Sequence, residues 1–328
     1  MKTYANIIFW VLLSILLLCS CDDIENTTNG DVNNMEKSLF PFQNIDSKWG
    51  YMDIEGNTII KPQYDSASYF TDNKAVVTIE GKNSDKYGYI NKNGDIVVPI
   101  IYDWAAPYSN GLYFVKKMKN PQADHGGETW IYMNDNGEVV LQLTDKDFYL
   151  VWPGNGGLSN VAKDAAPGSW GCIDITGDYI IKPQYSGLGY FCDGLAWFRN
   201  VGGRDSKFGF INKENEIVIP EMYEAPGDFS EGIAPVKLNG KWGYINGKNE
   251  IVIEFKFDDA KSFSESVAAV NENGLWGVID HTGEYVIPPQ YPNLSNSYNG
   301  LFMVQKNLFD FDYYVNLNGE IIKPKTAT

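Results

Sequence analysis

Few residues in this chain could do chemistry. Only two histidines occur, His125 and His281. His125 stands with Asp124 and Glu128 in the stretch "ADHGGE". All three residue types ligate metals, but they crowd into one loop and lack the spacing of a zinc site or a metalloprotease helix. The stretch "DITGD" (Asp174–Asp178) sets two carboxylates about a turn, as a calcium loop does, but without the further acids such a loop needs. "PGNGGLSN" (Pro153–Asn160) is glycine-rich, yet does not lie between a strand and a helix, where a phosphate cradle would be. No nucleophile elbow and no zinc-type cysteine pairing is present. The 42 acidic residues are abundant, but abundance alone does not make a catalytic pair. These residues predict a chain with no catalytic residues, no metal and no cofactor, not an enzyme.

What the chain does contain is repetition. The motif "KWGYIN" at Lys241 has near-copies "KWGYMD" at Lys48, "KYGYIN" at Lys86 and "SWGCID" at Ser169. Aligned on its aromatic residue, the series runs Trp49, Tyr87, Trp130, Trp170, Phe208, Trp242 and Trp276. An eighth, worn copy carries Asp312 at that position. Spacing within a unit is tighter than spacing between units. Seven residues after the aromatic stands Gly or Asn, and fifteen after it stands Tyr or Phe in six units. Fixed internal spacing with a variable period identifies stacked repeats whose loops absorb the length changes.

Each unit reads as three strands. "IAPVKL" (Ile233–Leu238) turns through Asn239-Gly240 into "KWGYIN", a strong hairpin signal. A second turn with Gly or Asn at its positive-φ position leads into "EIVIEFKF". The strand-to-turn residue is always Asp or Asn: Asp53, Asn91, Asn134, Asp174, Asn212, Asn246, Asp280 and Asn316. Their short side chains can bond to backbone N–H groups and fix the turn. Proline in most third strands, as at Pro62, Pro183, Pro220 and Pro288, belongs at a strand end or a sheet edge.

This pattern resembles the WG-repeat family of bacterial proteins over about residues 39–325. Units three and eight depart from it, with Ile131 in place of the glycine and Asp312 in place of the aromatic. The resemblance implies a repeat scaffold and carries no established catalytic residues. Three- to four-stranded meanders of this length must stack to bury their faces. The expected fold is all-β and β-propeller-like, the alternative being an open β-solenoid of stacked hairpins. The repeat aromatics are expected to wedge against the neighbouring sheet, with the glycine allowing close approach.

Subtracting the repeat leaves a candidate binding patch. Trp104, Trp152 and Trp197 stand outside the scaffold position, all within units two to four. With Phe114, Tyr149 and Tyr190 they form a set of aromatics that could stack on sugar rings or anchor a protein, or else plug gaps in an imperfect repeat.

The N-terminus supplies an address. An apolar run from Ile7 to Leu18 is short for a membrane span and suits a signal-peptide core. It ends in Leu18-Cys19-Ser20-Cys21, which resembles a bacterial lipobox and implies cleavage before Cys21 and lipid on its sulfur. Residues 1–20 read as the lipoprotein signal peptide, 21–38 as a flexible polar tether, and 39–328 as about eight repeat units. Asp22-Asp23-Ile24-Glu25 is either a surface-export signal or plain tether. Removing residues 1–20 deletes one lysine and no acid, so the formal charge goes from −16 to about −17. So acidic a body lacks the basic patch that nucleic acid requires. Cys172 and Cys192, on a strand and in a loop, could be bridged after export but read as two separate thiols. The leading expectation is a non-catalytic, envelope-anchored scaffold that binds a protein or ligand. It would be held to the lipid membrane through acylated Cys21, in the outer membrane and, with the export signal, at the cell surface. A carbohydrate-binding lipoprotein comes second and an enzyme with an unrecognised site third.

Overall fold

The structure, a computed structural model, describes residues 38–81, 84–119, 127–202, 206–305 and 311–325. Cys21, the leader, the tether up to residue 37, Asp124 and His125 lie outside them. The described residues contain no α-helix and one short 3-10 turn, Asn155–Gly157. The chain divides into two compact units. One comprises Leu39–Tyr51 and Ile60–Asp145; the other comprises Met52–Ile59 and Lys146–Thr328.

Every strand neighbour is antiparallel and sequential, giving seven four-stranded sheets and one three-stranded sheet among the described residues. The three longer strands of each repeat are joined by a fourth, as three- to four-stranded meanders require. It is two residues long in most sheets and begins two residues after the third-strand aromatic: Ser66–Ala67, Trp104–Ala105, Gly187–Leu188, Ala225–Pro226 and Asp259–Ala260. Each of these pairs with the strand that follows it, so it joins the next sheet. Two residues are too few to show an alternation, which is why the sequence hides this strand.

Local chemistry explains the remaining elements. Asn239 and Gly240 (φ 53° and 80°) make the two-residue hairpin turn that Asn-Gly predicts. At the second turn, Gly56, Gly94, Gly137, Gly177, Asn215, Asn249, Gly283 and Gly319 all have positive φ. The Asp or Asn that opens it accepts backbone N–H bonds in all eight copies, as from Lys248 and Glu250 to Asn246 Oδ1, both at 3.0 Å. In "DITGD" the Asp174 carboxylate is occupied in this way and also accepts from the Thr176 hydroxyl at 2.6 Å.

The motif glycine sits where the ladder between middle and last strands shifts register, between Trp242 and Tyr244. A Cβ on Gly243 would lie 2.7 Å from the Ile253 carbonyl oxygen, so the close approach admits no side chain. One residue on, Tyr244 is fully buried in a cluster with Phe257, Ala260, Phe263 and Val270, which joins one sheet to the next. The tyrosine, rather than the tryptophan, is the interior rivet. Trp49, Trp170, Phe208, Trp242 and Trp276 are half-buried, and only Tyr87 and Trp130 at that position are buried.

Candidate binding surface

The polar residues that recur in the repeat are occupied in bracing one sheet to the next. Lys241 Nζ lies 2.5 Å from Asp258 Oδ1, and Asp258 Oδ2 accepts from the Asn273 N–H in the following sheet. The same brace forms at Lys48–Asp65 and Lys86–Asp103, both at 2.5 Å, with the second carboxylate oxygen taking the Glu80 and Met118 N–H groups. Lys207–Glu224 is a looser version at 3.7 Å. The Lys241 ammonium and the Asn273 amide hold the Asp258 carboxyl below the usual aspartate range. Burial acts upward on Asp65, but Lys48 and the Glu80 amide outweigh it and leave that carboxyl lowered as well.

A second brace uses the acidic residue of the "FSEG"-type turn. Asp193 accepts from the Gly232 N–H at 2.8 Å, Glu231 from Ser266 N–H at 3.0 Å, and Glu265 from Asn299 and Gly300 N–H groups at 2.6 and 2.8 Å. His281 belongs here too: its Nε2 lies 3.0 Å from Glu231, and its ring stacks on Phe263 at 4.2 Å. A third brace is the buried tyrosine hydroxyl, which donates to a carbonyl in the next sheet: Tyr51 to Ser68, Tyr89 to Ala106 and Tyr244 to Lys261.

Of the candidate aromatics, Trp104 and Phe114 lie in the first compact unit, and Tyr149, Trp152, Tyr190 and Trp197 in the second. In the first unit, Trp104 is half-buried and meets Phe114 edge-on at 5.7 Å. Phe114 is 2% exposed and is a core ring. In the second unit, Trp152 meets Trp170 at 5.2 Å and Trp197 meets Phe208 at 5.6 Å, both edge-on. Tyr190 packs against the backbone at Gly154, where a Cβ would lie 2.8 Å from its ring. Trp152 is the exposed member, at 39%.

Register explains the two tryptophans. Trp152 faces Asn160 across its strand pair, Gly189 faces Trp197, and Lys261 faces Ala269. Each pair sets one large residue against a smaller one beside the scaffold aromatic. Lys261 Nζ lies 5.2 Å over the Trp276 ring, and burial pulls that ammonium down to about 8. Trp152, Trp197 and Lys261 therefore cover equivalent ground from alternate strands. The position is one of compensating volumes, which comparing single columns of the repeat does not expose.

Repeat four breaks two of the braces. Ser169 and Ser186 stand where repeats one, two and six have Lys and Asp, and Cys172 stands where those repeats have tyrosine. Asn160, the cross-strand partner of Cys172, reaches the carbonyls of Leu188 and Gly189 at 2.9 Å and replaces the missing hydroxyl bond. Cys172 is a buried, free thiol, so it forms no bridge to Cys192; burial pushes its pKa up to about 12. Around the missing Lys–Asp brace lies an open cleft of 560 Å³, lined by Tyr149, Asp164, Ser169, Trp170, Ser186 and Arg199 among others. Outside this region, Glu128 is buried and paired with Lys116 at 3.3 Å.

A family model for the WG-containing repeat matches residues 49–82, 87–119, 170–203, 208–242, 242–276 and 276–307. The chain belongs to the WG-repeat family. No curated protein sequence matches this WG-repeat chain. Among solved structures it is similar to a eukaryotic initiation factor, with a TM-score of 0.52, 9% identity and 85% of each chain covered. It is also similar to the β-propeller domain of the Trilobed protease from Pyrococcus furiosus, with a TM-score of 0.50, 9% identity, and 78% of this chain and 94% of that one covered. Oligopeptidase B from Leishmania major matches at a TM-score of 0.50 and 7% identity, covering 78% of this chain and 48% of that one. At such identities the likeness is one of fold. The fold of this WG-repeat protein is a β-propeller of antiparallel blades, not the open solenoid.

Proposed function

We propose that this WG-repeat protein is a non-catalytic binding scaffold, anchored to the bacterial envelope through acylated Cys21 and exported to the outer membrane. One observation carries the binding reading. Side chains shared by the repeats are spent on bracing blade to blade, whereas repeat four replaces them with Ser169, Cys172 and Ser186 and leaves Trp152 and an open cleft at the surface. A β-propeller supplies a rigid frame for such a graft. The lipobox-like Leu18–Cys21 and the short apolar run before it support the address. The acidic charge of −16 favours a partner other than nucleic acid.

Two experiments test this. Metabolic lipid labelling should mark the wild-type chain and be lost in Cys21→Ala; persistent labelling overturns the anchor. Envelope proteins and glycans should be screened against the wild type and a Trp152→Ala/Trp197→Ala double variant. A ligand retained by the wild type and lost from the variant supports the scaffold, while hydrolytic turnover by the purified chain overturns the non-catalytic reading.

A further inference from the structure

In repeats one, two and six, a Lys–Asp pair at 2.5 Å spans from the residue before the scaffold aromatic to the residue after the last-strand aromatic. In repeat four both positions are serine, and both serines line the 560 Å³ cleft. The segment from Lys163 to Ser169 makes another wall, where the regular unit has only the two-residue turn Asn239-Gly240. The cleft is thus made by two departures that coincide, the loss of a brace and the lengthening of a turn.

We propose that this cleft is a binding site for a pyranose sugar bearing a carboxylate, with Trp170 as its stacking surface and Arg199 as the partner of the acid group. The proposal rests on the binding-scaffold reading above and names its ligand class. The volume falls within the range of small-ligand pockets, about 300–1,000 Å³. Trp170 is half-buried in the wall, and a T-shaped contact with Trp152 at 5.2 Å holds its ring. Tyr149 adds a second aromatic surface. Such rings present a flat apolar face to the C–H groups of a sugar, while hydroxyl and carboxylate neighbours serve its O–H groups. Asp164 and Ser169 supply that polar rim; the Ser169 hydroxyl donates to the Asp164 carbonyl at 2.7 Å and ties the rim together.

Arg199 decides the charge of the ligand. The chain has 26 basic residues, of which only Arg199 and Arg204 are arginines. Arg199 Nε donates to Ser186 Oγ at 3.2 Å, and its guanidinium lies 5.3 Å from the Phe208 ring centre. These two contacts orient the guanidinium and engage its inner nitrogen, leaving the terminal nitrogens to a two-pronged acceptor. A carboxylate fits that fork, which a lysine would not offer. Ser186 is the residue that frees Arg199 for this role, because an acid there would hold the guanidinium as Asp258 holds Lys241.

The test is calorimetric titration of the full chain with methyl glucuronide, methyl glucoside and inorganic phosphate. The expected result is glucuronide binding at least about tenfold tighter than glucoside binding, since charge-assisted paired hydrogen bonds carry that much discrimination. Arg199→Gln should erase the difference between the two sugars, and Trp170→Ala should weaken both. The Ser169→Lys/Ser186→Asp double variant installs the brace of repeat six and should abolish sugar binding while keeping or raising the melting temperature. Equal affinity for the two sugars, binding of phosphate alone, or no sugar binding at millimolar concentration overturns the proposal. Glucuronide binding that survives the double variant but is lost with Trp152→Ala/Trp197→Ala also overturns the cleft, while leaving the scaffold reading standing.

Discussion

Repeats six and four share one frame and differ in what their polar side chains do. In repeat six, Lys241 is held by Asp258 and Tyr244 bonds to the Lys261 carbonyl. In repeat four, Ser169, Ser186 and Cys172 occupy the corresponding places, and Asn160 restores only the carbonyl bond. One blade is fully committed to its neighbours; the other keeps its packing but relinquishes a surface brace. In a repeat protein, relaxing one unit is tolerable because stability is shared among nearest-neighbour interfaces. Such a unit is where a ligand can be accommodated without unmaking the fold.

The comparison can be broken most forcefully at what the two repeats share. Gly243→Ala and Gly171→Ala each place a Cβ against a last-strand carbonyl, at 2.7 and 2.4 Å. Each should cost about 3 kcal/mol or more in urea unfolding, from forced backbone displacement. A small loss in either would show that the frame is not common to both. Next come the volume-filling rings. Trp197→Ala should cost about 3 kcal/mol, as a largely enclosed ring does. Trp152→Ala, 39% exposed, should cost about 1 kcal/mol. Denaturant midpoints would reveal a reversed order.

Breaking a brace should matter less than breaking the frame. Asp103, whose side chain is 5% exposed, is the most enclosed brace acid, and Asp103→Ala should cost about 2 kcal/mol because Lys86 and the Met118 N–H lose their partner. Ser186→Ala should cost well under about 1 kcal/mol. Acid supplies a subtler probe. The Asp258 carboxyl is held below its ordinary value of 3.8, so its contribution is full above that value and is lost as pH falls through the folded-state value. Asp258→Asn should flatten the low-pH limb of a melting-temperature profile, whereas Ser186→Ala should leave it unchanged. The smallest expected signal is from Cys172. A buried thiol raised to about 12 should resist iodoacetamide at pH 8 in the native chain and label after unfolding, as peptide mass mapping would record.

Much of the frame was legible because it is written many times. The Asn-Gly turns, the Asp or Asn that opens each second turn, and the glycine at the close approach all stand where local chemistry predicts. The two-residue first strands were not legible, being shorter than any periodicity. The site was legible only in outline. Choosing tryptophans that break the pattern drew rings from both compact units and did not reveal that large and small residues compensate across strands. A better signal lay in paired columns. Lys48/Asp65, Lys86/Asp103, Lys207/Glu224 and Lys241/Asp258 keep a cation and an acid together, while Ser169/Ser186 and Leu275/Pro292 lose both at once. Two positions that change together mark a contact, and where the contact is missing they mark a space.

Among the described residues, the last strand of each sheet pairs on one side only, and several expose β-branched residues in pairs, such as Ile217 with Val218 and Ile251 with Val252. Left unguarded, such edges would recruit one another when chains are crowded. Pro220 and Pro288 each remove a donor from that edge, and Glu254 sets a charge at the same place in repeat six, whereas Pro62 and Pro183 stand one residue later, with the nitrogen facing the motif glycine of the middle strand. A proline or a charge at that place works against the pairing of one bare edge with another.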